Sequence, residues 1–63
     1  MEVNVKESIK NFKRVYPEID PVPVGLTDDG NKIVVFVGDG YHAIDECSVS
    51  RFYENIGDAR AVI

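Results

Sequence analysis

The chain has 63 residues, 44% of them hydrophobic and 29% charged, with a net charge of −4. That size bounds it to one domain, residues 1–63, with one small core and little room for an enclosed substrate pocket. No apolar run approaches the roughly 20 residues of a membrane span, and a single cysteine, Cys47, excludes an internal disulfide.

The charge is unevenly spread. Residues 1–16 carry four basic and two acidic groups, whereas residues 17–63 carry three basic and nine acidic ones. Most of such a surface repels phosphate, so nucleic acid is not the expected partner. The free thiol fits a reducing compartment, and MEVNVKESIK lacks the basic-then-apolar order of a signal peptide. The cytoplasm is therefore the expected location, with Met1 the expected native start.

In chain order, Asn4-Val5-Lys6-Glu7 reads as a capping box. Asn4 accepts from a helical N–H, and Glu7 reaches back to the Asn4 N–H. Val5, Ile9, Phe12 and Tyr16 then recur at spacings of four, three and four, which share one helix face. Pro17 ends the helix at Tyr16, so a helix is predicted over 5–16. MEVNV alternates enough to offer a short strand ending at Asn4 as a competing reading.

Val22, Val24 and Leu26 alternate as strand residues do. Pro21 and Pro23 remove donors on one lateral side, which places this strand at a sheet edge. Asp28-Asp29-Gly30-Asn31 has turn composition and leads into Ile33-Val34-Val35-Phe36-Val37, giving a β-hairpin around residues 22–37. The second strand is apolar on both faces, so something must cover Val34 and Phe36 as well as Ile33, Val35 and Val37. Two helices on opposite faces would do so, and so would a homodimer.

Gly38-Asp39-Gly40 reads as a second tight turn and Tyr41 to Ile44 as a third strand. Val49, Phe52, Tyr53 and Ile56 fall at helical spacing after Ser48 or Ser50, with Gly57 placed as a C′ glycine. A second helix is expected there, and Ala59 to Ile63 offers an extra terminal strand. The order α-β-β-β-α on an antiparallel sheet makes an α+β domain.

VVFVGDGYHAIDEC holds the only histidine and the only cysteine, beside three carboxylates. His42 and Cys47 are five apart, which matches no structural zinc pair, and Asp45 and Glu46 oppose a reactive thiolate. DDGN lacks the acidic continuation of a calcium loop. No cofactor and no enzymatic activity are therefore expected; a metal or thiol site at His42 and Cys47 stays as an alternative. Lys6, Lys10 and Lys13 form a stripe beside the apolar helix face, the basis of a nucleic-acid-binding alternative.

The leading expectation is a non-enzymatic protein-interaction module, homodimeric and acting as a regulator or inhibitor of a partner with a basic surface. Val34, Phe36, Tyr41 and Tyr53 are the expected apolar contacts. Asp28, Asp29, Asp39, Asp45 and Glu46 are the expected charge complement.

Overall fold

The computed structural model describes residues 2–61, except the side chains of Ser50 and Arg51. Helix α1 spans Val5–Val15, strands β1 to β4 span Val22–Leu26, Ile33–Phe36, Tyr41–Ile44 and Val49–Tyr53, and helix α2 spans Ile56–Arg60. The strands form one antiparallel sheet in the order β1-β2-β3-β4. The α+β class and the hairpin agree with the sequence, and proline-bearing β1 lies at an edge.

Helix α1 forms where its cap and periodicity place it. Asn4 Oδ1 accepts from the Glu7 N–H at 3.0 Å. The other half of the expected capping box is different: the Asn4 N–H donates to Glu46 Oε1 at 3.2 Å, not to Glu7. A carboxylate from the β3–β4 turn thus completes the helix start. The buried face of α1 also holds two polar residues, Ser8 and Asn11, beside Phe12. Ser8 Oγ donates to the Asn4 carbonyl at 2.7 Å, and Asn11 Nδ2 donates to the Asp45 carbonyl at 3.5 Å. These two buried side chains therefore each have a partner, as burial requires.

The main core joins Phe12 and Val3 to Ile33, Val35 and Ile44 on one sheet face. Phe12 is 1% exposed; burying such a ring contributes about 2–3 kcal/mol. The second face is covered by α2, which carries buried Ala59 over buried Val34 and Ala43. Helices on opposite faces thus cover Val34, whereas Phe36, on the same face, stays partly exposed.

Three turns hold the strands in register. In the first, Gly30 adopts φ 74°, and Asp29 accepts from the Asn31 backbone at 2.9 Å and from Thr27 Oγ1 at 2.8 Å. In the second, Gly38 adopts φ 103° and the Val37 N–H reaches the Gly40 carbonyl at 3.0 Å. Both φ values lie where glycine alone is unstrained. In the third, Asp45 Oδ1 accepts from the backbones of Cys47 and Ser48 at 2.8 and 2.7 Å.

The second helix is a correction. Val49 to Tyr53 is strand β4, and the helix is confined to Ile56–Arg60, capped by Asn55, whose Oδ1 accepts from the Asp58 N–H at 3.0 Å. Ser48 closes the turn and caps nothing, while Gly57 lies inside α2. The physical reason is a bulge. Ile44 pairs with Val49 and His42 with Phe52, so β4 uses three steps where β3 uses two. One extra residue puts Val49 and Phe52 on the same face at a spacing of three, which imitates a helix. The expected terminal strand is also revised: Ala59 and Arg60 belong to α2, and Val62 and Ile63 lie outside the described residues. The segment before α1 joins no strand; its Val3 N–H donates to the Gly30 carbonyl at 3.2 Å.

Candidate functional site

Register places four side chains in one row across the whole sheet. Val22 pairs with Phe36, Phe36 with Tyr41, and Tyr41 with Tyr53. Directly paired residues share a face and touch. The Phe36 and Tyr41 rings meet at 5.2 Å, tilted by 55°. The row lies on the face that carries Val34 and Ala43, but past the part that α2 covers. Val22 remains 57% exposed and Phe36 36% exposed; Tyr41 and Tyr53 are half-buried. Val24, the extra residue of a bulge in β1, is a further exposed apolar side chain of that edge strand.

Three expected contact residues, Phe36, Tyr41 and Tyr53, thus come together. Val34 does not join them: it is 0% exposed, sealed beneath α2. Val22 was missed because sequence alone cannot say which residue of β1 faces Phe36 across the hairpin. Its signal was present in the proline-marked edge strand.

The acidic residues do not form one surface. Antiparallel order puts the turns after β1 and after β3 at one end of the sheet, and the turn after β2 at the other. Asp28, Asp29, Asp45 and Glu46 occupy the first end, and Asp39 the second, next to Phe36 and Tyr41. Three of the five have internal duties. Asp29 accepts from Thr27 and Asn31, and these bonds, the Asn31 backbone first, hold its pKa below the ordinary range. Glu46 accepts from Asn4. Asp45 accepts from Cys47 and Ser48 and pairs with Lys32 Nζ at 2.9 Å. Burial raises the Asp45 pKa, but the hydrogen bonds from Lys32, Cys47 and Ser48 together bring it down to about 2. Asp28 and Asp39 are the two exposed carboxylates of the set whose side chains accept no hydrogen bond among the described residues.

His42 sits in the middle of β3, edge-on to Phe12 at 6.0 Å and to Phe52 at 6.0 Å, with Tyr16 at 6.5 Å. Cys47 is exposed in the turn beyond the far end of that strand. The fold therefore gives His42 an aromatic setting away from the thiol. Among the described residues no three His, Cys, Asp or Glu side chains stand close enough together to hold a metal.

A shallow groove of about 470 Å³ beside α1 is lined by Glu7, Lys10, Asn11, Arg14 and Glu46. Its two cations face two carboxylates, and Arg14 donates to Asn11 Oδ1. Lys13 pairs with Asp20 at 2.8 Å. Of the expected lysine stripe only Lys6 and Lys10 remain outside such pairs. No helix among the described residues is long and apolar enough to cross a membrane. Compared with protein-family models, with curated proteins and with solved structures, the chain shows no significant match.

Proposed function

We propose that this chain is a small non-enzymatic interaction module that binds another protein through the open end of its second sheet face. The observation that carries this reading is the row Val22, Phe36, Tyr41 and Tyr53, which spans all four strands beside α2. A contiguous apolar patch on so small a domain marks a contact surface, and tyrosine and phenylalanine are enriched in such surfaces. The helix stands above the sheet along one side of the row and makes a step. A segment of a partner, laid across the strands, fits against that step. Asp39 at the rim adds a carboxylate for a basic residue of the partner.

The broader acidic surface, with Asp28, Asp29, Asp39, Asp45 and Glu46 acting together on a basic protein, has less support. Those residues divide between two ends of the sheet; Asp29 and Asp45 stabilise their own turns, and Glu46 is engaged at the start of α1. Nucleic-acid binding by the α1 lysines likewise has less support, because Glu7, Glu46 and Asp20 lie among the cations.

The test is a selection of displayed peptides against the folded protein, repeated against Phe36→Asp. Sequences that bind the wild type and fail on the variant, with the variant's circular dichroism unchanged, are the expected result. Enriched peptides that bind both proteins equally would remove the row from consideration.

A further inference from the structure

Among the described residues, Arg60 holds the buried side-chain nitrogen that this fold leaves without a partner. Its Nε is buried and has no hydrogen-bond acceptor. The two ion pairs among the described residues are Lys13–Asp20 and Lys32–Asp45. The neighbouring carboxylates are directed elsewhere. Asp58 Oδ2 accepts from Asn55 Nδ2 at 2.8 Å. Asp28 meets the end of α2 through its backbone, its N–H donating to the Arg60 carbonyl at 2.8 Å.

The sequence makes room for this cation. A Cβ at position 25 would overlap Arg60 Nη2 and lie 3.3 Å from its Cζ, so the guanidinium rests where Gly25 has no side chain. Gly25 pairs with Val34 and Val22 with Phe36, so the guanidinium lies on the same sheet face as the exposed row, toward the α2 side. A buried N–H without an acceptor is costly, and a guanidinium N–H most of all, because it carries part of a positive charge. Nine acidic residues in positions 17–63 could have supplied the partner, and none among the described residues stands at Arg60.

We propose that Arg60 receives a carboxylate from the bound partner: the segment that covers Val22 and Phe36 presents an Asp or Glu side chain to the guanidinium. This deepens the interaction-module reading and rests on it. The planar guanidinium offers two parallel N–H donors, which a carboxylate accepts together. The side chain has only to lift from Gly25 for Nε to take part. The partner segment is thus apolar along the row with an acidic residue on the α2 side.

The probes are two peptides, acetyl-Leu-Phe-Asp-Leu-amide and its Asn counterpart, titrated at millimolar concentration into 15N-labelled protein. The Asp peptide is expected to shift the amides of Val22, Gly25 and Phe36 together with the Arg60 Nε–H signal. The Asn peptide should bind at least ten-fold more weakly. Arg60→Met, which keeps the apolar stem, should abolish the difference between the two peptides. Equal binding of both peptides, sensitive to Phe36→Asp, would overturn the role of Arg60 and leave the row standing. No shift with either peptide would overturn the inference, and the peptide selection judges the wider reading separately.

Discussion

The Asn4 N–H donates to Glu46 Oε1 across 42 positions of sequence, although Glu7 lies only three residues away. The contact joins the start of α1 to the β3–β4 turn. Asn11 Nδ2 reaches the Asp45 carbonyl of the same turn one helical stretch later. The helix is therefore tied to the sheet by its polar groups as well as by Phe12. Asn4→Ala should cost about 1 kcal/mol through loss of the cap. Glu46→Ala should cost about 0.5–1 kcal/mol, and Glu7→Ala less than Glu46→Ala. Urea unfolding midpoints read the order. A larger loss from Glu7→Ala would restore the local capping box.

Asp45 sets the acid sensitivity of the fold. Its folded pKa of about 2 lies below the ordinary 3.8. A depressed carboxylate contributes its full stabilisation above the unfolded pKa and loses it as pH falls through the folded one. The partial exposure of Asp45 and Lys32 brings the expected contribution to about 1–2 kcal/mol. Stability measured by urea should therefore fall between pH 4 and pH 2. Asp45→Asn should lower stability at pH 7 by that amount and flatten the fall. An unchanged slope in the variant would assign the acid sensitivity to other carboxylates.

Gly40 tolerates no side chain. A Cβ there would overlap the Phe52 ring and lie 2.8 Å from the Tyr53 carbonyl oxygen, which is backbone and cannot yield. Gly40→Ala should cost about 2–3 kcal/mol, in the upper range of overpacking. Gly25 is different, since the atoms a Cβ would meet belong to the flexible end of Arg60. Gly25→Ala should stay within about 1 kcal/mol of wild type. Thermal unfolding of the two variants gives the comparison, and similar midpoints would contradict the close approach of β4 at Gly40.

Phe12 and Phe36 separate stability from surface. Phe12 is closed into the main core, so Phe12→Ala should cost about 3–5 kcal/mol, enough to unfold much of a domain this small. Phe36→Ser should change stability by no more than about 1 kcal/mol, since the ring remains partly in water. Far-ultraviolet circular dichroism at 25 °C distinguishes the two. A Phe36→Ser chain as unfolded as Phe12→Ala would make that face structural and remove the candidate contact surface.

The sequence carried the parts of this fold that depend on local rules. Asn4 and Pro17 bracket α1, Pro21 and Pro23 mark β1 as an edge, and Gly30 and Gly38 stand where the turns need positive φ. Each follows from the backbone preferences of one residue or from periodicity within one element. The apolar faces of β2 likewise asked for cover on both sides, and left a second helix and a second chain equally open as its source.

What only the tertiary structure decided depends on register. The bulge in β4 gave Val49 and Phe52 a helical spacing within a strand, so period alone chose the wrong element. Glu46 takes the place expected of Glu7 at the Asn4 N–H, a contact 42 residues apart that only the folded chain brings together. The acidic residues read as one run, but antiparallel order sent Asp39 to one end and the others to the opposite end. Phe36, Tyr41 and Tyr53 were named from composition; that they align with Val22, while Val34 passes beneath α2, was set by strand pairing. One residue of slip moves every side chain of a strand to the other face, which is why a contact surface on a sheet is decided in three dimensions.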